Sequence, residues 1–507
     1  MADTTPTTPR PSRLPLIAVC VAAGAYVATF GTMGILQYVA GNITYIDTAN
    51  FEEMLWRTLH GEFLMSSQWP YNFLGRHVQF IHLALLPVYA IVPDLRTLML
   101  AQTVALAAGA FPLYALARHV LRNRWAGVAL AVAYLLYTPL QMLNLEGGGA
   151  YNTFRPINFA VVLLLAGFYC LVRQRLVWFS VLAVLTLACK EEFGLILVML
   201  GIYAAAFQRR RVFGPAWSVV GLAWFVVSVW VVMRGVSGGS TSHTITYYSH
   251  LGSTWGEVLS TVVLRPFNTL RVMFAPEKLE FFTVMLLPVG FLCLLDLPSL
   301  LVALPVFGLC LLSKRYASWM PWFHYHAPIV PFVFIATVYG VRNLGWLVRR
   351  VGKGHDERAA GRVTAFAAAF VLLCALGTNV VYSKSPLSFR FYDPKSPSYY
   401  RDLYVVSPRA RKFPEVVRAV PRDAVVSASL FLATYFTHHA AVLPFPGGMQ
   451  EGHWRPATHV VIDLGERWLR DSPDQHARIE ALLASPDFER LPAPDGFLIL
   501  RRRHTGG

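Results

Sequence analysis

The chain has 507 residues, of which 55% are hydrophobic and only 14% charged, whereas ordinary soluble domains carry about 25% charged residues. A mean hydropathy of +0.47, with 44 Lys+Arg against 28 Asp+Glu for a formal +16, excludes disordered, collagen-like and disulfide-scaffold classes. The basic residues lie in short clusters between long apolar runs. That pattern excludes a nucleic-acid partner and predicts a multi-pass membrane protein whose arginines hold loops on the cytoplasmic side.

Residues 1–13 form a Thr/Pro-rich polar tail, expected in the cytoplasm. The apolar run from Leu14 to Val39 is longer than the 7–15 residues typical of a signal-peptide core, so it reads as a retained anchor. A crossing helix needs about 20 apolar residues. Spans fit near 14–36, 97–117, 125–143, 156–172, 175–189, 193–208, 213–234, 281–296, 298–313, 327–346 and 363–382. Val78–Val92 is apolar but short and ends at Pro93. Counting it as a crossing would put Arg118, Arg122 and Arg124 outside; reading it as a juxtamembrane segment places them inside. The same choice puts Arg173, Arg175 and Arg209–Arg211 in the cytoplasm. The expected architecture is mainly α: a transmembrane bundle of about eleven spans over 14–382, in the inner (plasma) membrane, with the N-terminus inside. Residues 41–92 and 235–280 become outer loops. Residues 383–507 become a small extracytoplasmic α/β domain, with strand-like runs Val425–Leu430, Val460–Leu464 and Phe497–Leu500 and a helix over Asp474–Leu483. The six cysteines all fall in or beside apolar runs without a CxxC pair, so neither a disulfide framework nor a zinc site is expected.

In this topology the membrane-proximal polar residues gather on the outer side. They are Asp47, Glu52, Glu53, His60, Arg76 and His77 from the first loop, Asn144, Glu146, Tyr151, Asn152 and Arg155 from the 143–156 turn, Lys190-Glu191-Glu192, and His324-Tyr325-His326. Ionisable groups at membrane depth usually face a cavity or a partner, so their convergence marks one site. Each also has a plainer role. Asp47 could cap a helix running to Gly61 with Phe51, Leu55 and Leu59 as its apolar stripe. Glu52 and Glu53 read as helix-surface charges. Lys190 would pair with Glu191 or Glu192, or contact a phosphate. Arg76 and Arg155 offer a guanidinium fork that fits phosphate oxygens. His77, His324 and His326 read as interfacial hydrogen-bonders.

The run Asp47…Phe51-Glu52-Glu53…Leu55-Trp56…Leu59-His60-Gly61 resembles an N-terminal motif of a family of predicted bacterial membrane proteins, a domain of unknown function. His77…Leu86-Pro87-Val88-Tyr89…Pro93, Phe154-Arg155-Pro156, Lys190-Glu191-Glu192 and Tyr325-His326-Ala327-Pro328 carry the same resemblance over about residues 40–345. That family is similar in layout to the GT-C glycosyltransferases, membrane enzymes that take sugars from polyprenyl-phosphate donors at the outer face. The resemblance implies that Asp47 matches their acidic catalytic residue. It also shows two departures: Arg155 where the family usually has His, and Glu192 where it usually has Asp.

The expected function is transfer of a sugar from a polyprenyl-phosphate donor to an envelope glycan, lipid or protein. Such a reaction needs a base for the acceptor proton and cations for the departing phosphate. Asp47 is the candidate base. Arg76, Arg155 and Lys190 are candidate phosphate ligands. Glu52 or Glu53 would orient the acceptor or hold a divalent ion (Mg or Mn, with Asp47 and Glu53 as its carboxylates), and no other cofactor is expected. His77, Glu191, Glu192, His324 and His326 would complete the substrate site. No Gly-rich nucleotide loop or HExxH is present, which argues against a nucleotide-sugar enzyme or a zincin. The competing readings are a transporter or flippase of a lipid-linked substrate, which predicts broken mid-membrane helices in inverted repeats, and a non-catalytic envelope scaffold.

Overall fold

The computed structural model describes residues 12–503 apart from 148–150, 153, 240–242, 352–356, 450–452, 454, 467–468 and 470–471, so most of the N-terminal tail lies outside the described residues. The chain is mainly helical. Five helices are long and apolar enough to cross a membrane: Leu14–Val39, Leu95–Leu121, Phe213–Val236, Val330–Arg350 and Glu357–Tyr382. A sixth crossing is supplied if the pair Arg124–Leu136 and Thr138–Asn144, bent by 48°, counts as one span. The bend has a local cause. Pro139 has no N–H to offer the Leu135 carbonyl, and its ring crowds that turn. The Gln141 side-chain amide takes up the stranded Leu135 carbonyl at 2.9 Å, and Asn379 takes that of Leu136 at 2.8 Å. In lipid such replacement bonds are what make a proline break tolerable.

The expected number of spans is not reproduced as continuous helices. Pro156–Val172, Leu176–Leu187 and Phe193–Phe207 are shorter apolar helices. The expected span at 281–296 breaks at Pro288 and at Gly290 and Phe291, which both adopt positive φ, and the one at 298–313 is a shorter apolar helix, Leu297–Leu311. Val78–Val92 folds as a 3₁₀ turn, Ile81–Leu85, running into a short helix, Leu86–Ile91.

Helices Phe193–Phe207 and Phe213–Val226 touch backbone to backbone. A Cβ on Gly201 would stand 2.4 Å from the Gly214 carbonyl, and one on Gly194 would stand 2.4 Å from the Gly221 carbonyl. Small residues spaced along both helices permit this approach, as is usual between helices in lipid.

Two strands, β1 (Glu146–Gly147) and β2 (Tyr151–Asn152), form a small antiparallel ladder; the side chains of Glu146, Tyr151 and Asn152 lie outside the described residues. The C-terminal region forms a five-stranded sheet from β3 (Val425–Ala428), β4 (Ala441–Pro444), β5 (His459–Asp463), β6 (Phe488–Leu491) and β7 (Phe497–Arg502), in the order β4-β3-β5-β7-β6. β3 pairs parallel with β4 and β5, while β7 runs antiparallel to β5 and β6. The three expected strand-like runs are β3, β5 and β7, and the expected helix is Pro473–Ala484. One face of the sheet packs on Phe413, Val416, Leu432 and Phe436, and Tyr45 and Ala49 belong to that same core. The segment carrying Asp47 is therefore built into the hydrophobic core of the sheet.

Enlarging a glycine at the backbone contact should part the helix pair. Gly201→Val is expected to lower stability by about 1–3 kcal/mol, read as an earlier thermal unfolding midpoint of the detergent-solubilised protein. An unchanged midpoint would show that the contact is not tight.

Candidate functional site

Asp47 lies within a π-helical turn, Tyr45–Ala49, that leads directly into helix Asn50–Leu59. Asp47 is not a cap: the helix N-cap is Ala49, with no side-chain bond. Its Oδ2 sits 2.7 Å from a guanidinium nitrogen of Arg155. Arg155 is held in turn from the bundle interior. Its backbone N–H donates to Gln102 Oε1 at 2.6 Å, and Gln102 donates to the Leu143 carbonyl at 3.0 Å and to Asn144 at 3.3 Å. Asn158 donates to the same Gln102 oxygen at 3.0 Å, and Asn144 donates to the Tyr26 hydroxyl at 3.0 Å. Buried polar groups in an apolar bundle must find partners, and here the partners they find fix Arg155 against Asp47.

Glu52 and Glu53, expected as helix-surface charges, are both buried. The turn before β4 and Tyr89 cover them. Glu53 accepts from Arg57 Nε at 2.6 Å, from the Ser67 backbone N–H at 3.2 Å and from the hydroxyls of Tyr45 and Ser67. Arg57 also reaches Glu62 at 2.7 Å and the Ala440 carbonyl at 2.5 Å, while the Val442 N–H donates to Ser67 Oγ at 3.1 Å. Both Glu53 oxygens are thus committed to joining the helix to β4 and its preceding turn. Glu52 Oε1 meets His438 Nε2 at 2.5 Å and the Tyr89 hydroxyl, and the His438 ring stacks on Trp56 with centroids 3.9 Å apart. His438 and Arg57 were not singled out from sequence, and Tyr89 and Gln102 belong to the family-like run without a site role there. Arg57 carried a signal, being four residues beyond Glu53 on one helix face, and Gln102 is a polar residue inside an apolar span.

A second ionic group forms at the turn after helix Leu176–Leu187. Lys190 pairs with Glu192 at 2.7 Å, whereas Glu191 meets His77 Nδ1 at 2.9 Å and accepts from the Val78 N–H at 3.1 Å. The Phe80 and Ile81 N–H groups donate to the Ala188 carbonyl at 2.7 and 2.9 Å, so the first loop is stitched to this turn. Burial alone would push the Glu191 carboxyl up, but the His77 imidazole, its hydrogen bond and Lys190 outweigh it and hold the carboxyl at about 2. Burial pushes the Lys190 ammonium down, yet Glu192 and Glu191 more than reverse this and raise it above its ordinary range. Phe51, Phe73 and Phe154 link the two ionic groups: Phe51 stacks edge-on against Phe154 at 5.9 Å and Phe73 at 5.6 Å, and Phe73 lies 6.0 Å from His77.

The remaining expected residues sit at the margins. Arg76 is exposed and lies over the Trp69 ring at 5.6 Å. His326 is buried with Nε2 3.0 Å from the Pro139 carbonyl, at the helix break, and His324 packs on Tyr325 at 4.2 Å. The Tyr325 hydroxyl accepts from Arg315 at 2.8 Å, adding a cation not anticipated from sequence. Asp47 and Glu53 do not make a donor set for a divalent ion, because both Glu53 oxygens already bind Arg57, Tyr45 and Ser67. Among the described residues no three His, Cys, Asp or Glu side chains cluster as metal ligands.

Comparison with known proteins follows the same lines. Residues 42–498 match the family model described as "Predicted membrane protein (DUF2079)". Of the solved structures, ArnT from Cupriavidus metallidurans bound to undecaprenyl phosphate is similar with a TM-score of 0.52 and 11% identity, over 98% of this chain and 99% of that one. The apo form of the same protein gives a TM-score of 0.48 and 12% identity, over 94% and 98% of the two chains. No curated protein matches the chain. At such identity the likeness is one of fold: the chain shares an ArnT-like arrangement of helices.

Removing one partner of the buried Glu53–Arg57 pair leaves the other uncompensated, so Arg57→Ala should cost about 3–5 kcal/mol, seen as faster proteolysis between the sheet and the bundle. Glu191 sets an acid limit. Its folded-state carboxyl is held below the ordinary 4.5, so its stabilisation is complete above about pH 4.5 and is lost as pH falls toward 2. Unfolding midpoints recorded from pH 5 down to 3 should drop less steeply for Glu191→Gln than for the native chain, and parallel slopes would remove Glu191 as the cause.

Proposed function

The chain belongs to the DUF2079 family of predicted membrane proteins, and from that membership and the geometry around Asp47 we propose that it is a membrane glycosyltransferase. In this reading it moves a sugar from a polyprenyl-phosphate donor to an envelope glycan, lipid or protein acceptor at the outer face of the inner membrane. The N-terminus is cytoplasmic, the chain crosses about eleven times with some crossings made by broken helices, and the region 383–507 is extracytoplasmic. The observation that carries the proposal is the Asp47–Arg155 contact at 2.7 Å, at the start of a helix braced by the sheet. Undecaprenyl phosphate in the ArnT structure of like fold supports a lipid phosphate as the ligand class.

The chemistry follows from those residues. The acceptor hydroxyl oxygen attacks the sugar's anomeric carbon while the bond from that carbon to the phosphate oxygen breaks. Its electron pair leaves with the polyprenyl phosphate, and the hydroxyl proton passes to an Asp47 oxygen. Arg155 faces two anions in turn: Asp47 before the donor binds, and the donor phosphate afterwards, since a guanidinium fork suits either. As the fork turns to the phosphate, the Asp47 carboxylate becomes a stronger base beside the acceptor. Lys190 supplies a further positive charge as negative charge gathers on the leaving phosphate. Glu53 takes no part beyond holding the helix, and no step passes through a metal ion.

The test uses the purified protein in liposomes with a polyprenyl-phosphate sugar and an acceptor extract. Asp47→Asn should lower the transfer rate about 10²–10⁴-fold with little change in donor KM. Arg155→Ala should also weaken donor binding, and Arg155→Lys should recover part of it. Full transfer by Asp47→Asn would remove Asp47 from the mechanism. Unchanged lipid-linked sugars and envelope glycans in cells lacking the gene would sink the proposal.

A further inference from the structure

At the end of the bundle opposite Asp47 lies a second concentration of charge. Arg155 and Asp94 stand beside the starts of helices Phe159–Val172 and Leu95–Leu121, so the far ends of those helices are across the bundle from the site. There Arg118, His119 and Arg122 from one helix end and Arg173 from the other line a cavity of about 610 Å³, together with Tyr114 and Tyr169. No acidic residue lines it. Among the described residues, none of the three guanidiniums pairs with a carboxylate. Arg173 instead donates to His119 Nδ1 at 3.1 Å. A guanidinium has only N–H to offer, so this imidazole nitrogen is the acceptor and His119 is neutral in this arrangement.

Arginines at loop ends often serve topology alone, and cations near helix C-termini offset the helix dipole. Neither accounts for this cluster. Two helix C-termini contribute about −0.5 each, against three guanidiniums gathered around one concave space. Arg118, Arg122 and Arg173, all exposed, line one concave surface, with Tyr114 and Tyr169 beside them. An anion with several acceptor oxygens would relieve the repulsion and engage the guanidinium forks.

We infer that the Arg118–Arg122–Arg173 cavity is a binding site for a phosphate group, carried either by an anionic lipid headgroup or by a free phosphate. It stands apart from the transferase site and does not depend on it. The lipid form is consistent with a basic pocket between membrane helices. The free form would need only the open mouth of the cavity.

The full-length protein in detergent provides the test. Native mass spectrometry counts phosphatidylglycerol and phosphatidylcholine adducts, and thermal unfolding is followed with inorganic pyrophosphate. The native chain should retain phosphatidylglycerol at least fivefold more than phosphatidylcholine. Arg118→Gln/Arg173→Gln should erase that preference, while Arg209→Gln, a loop arginine outside the cavity, should keep it. Stabilisation by pyrophosphate that the double variant loses, without lipid selectivity, would assign the site to a free phosphate. If the double variant does not elute as one species, Arg122→Gln serves in its place with an expected loss of at least twofold. Equal behaviour of native and variant chains toward both probes would overturn the inference.

Discussion

The buried pair between Glu53 and Arg57 is the joint on which the Asp47 end of the molecule depends. It forms within one helix, at a separation of 2.6 Å, and then reaches outward: Arg57 to the Ala440 carbonyl, and Ser67, bonded to Glu53, to the Val442 N–H. A carboxylate placed in such a low-dielectric setting must be paired and fully hydrogen-bonded to be tolerated. That requirement locks three pieces together: the helix, the loop at Ser66–Ser67 and the sheet. The Tyr45 N–H donates to the Leu430 carbonyl at 3.2 Å, so the π-helical turn holding Asp47 is also tied to the turn that follows β3. The C-terminal region is therefore a brace for the candidate catalytic segment.

Much of the fold was legible because the strongest signals are physical lengths. Runs of twenty or more apolar residues became helices long enough to cross, as at Leu14–Val39, where Pro15 falls in the first turn and costs no bond, and at Glu357–Tyr382, which has no proline. Where prolines interrupt the run, composition overstated continuity. Residues 281–296 form an apolar run, but Pro288 and the positive φ at Gly290 and Phe291 keep it from being one helix. In the tail, β3, β5 and β7 were visible as short apolar runs because they lie at the centre of the sheet, buried on both faces. β4 and β6 sit at its edges, and β6, Phe488–Leu491, carries Glu and Arg that break the pattern.

The candidate site was legible by residue type and not by role. Of the polar residues read from the turns, the structure brings Asp47 to Arg155 and Glu191 to His77, with Lys190 on Glu192 beside them. Sequence could not separate Glu52 and Glu53 from ordinary helix-surface charges, because the turn before β4 that covers them lies nearly four hundred residues away (His438 on Glu52 and Ala440 on Arg57). Nothing near His438 marks it as a partner for Glu52. By contrast Gln102, the residue that fixes Arg155, did carry a signal, since an amide inside an apolar span needs a partner.

Burial distinguishes the charges that hold the structure from those that can exchange partners. Glu53 has a side chain fully shielded from solvent, and its bonds all run to groups of the same chain that cannot leave without parting helix from sheet. Asp47 keeps 30% of its side chain exposed and Arg155 12%. Their contact can open on the Asp47 side, which water already reaches. An incoming phosphate presents the guanidinium with oxygens of the same kind as the carboxylate it replaces, so the exchange keeps the guanidinium paired, and the carboxylate that gives up its partner is the more exposed of the two. A carboxylate of Glu53's burial could not perform that exchange, and a fully exposed one would not be held in place for it. In the proposed reaction, then, the partial exposure of Asp47 is a condition of its being a base, and the rigid pairing of its neighbour keeps it positioned.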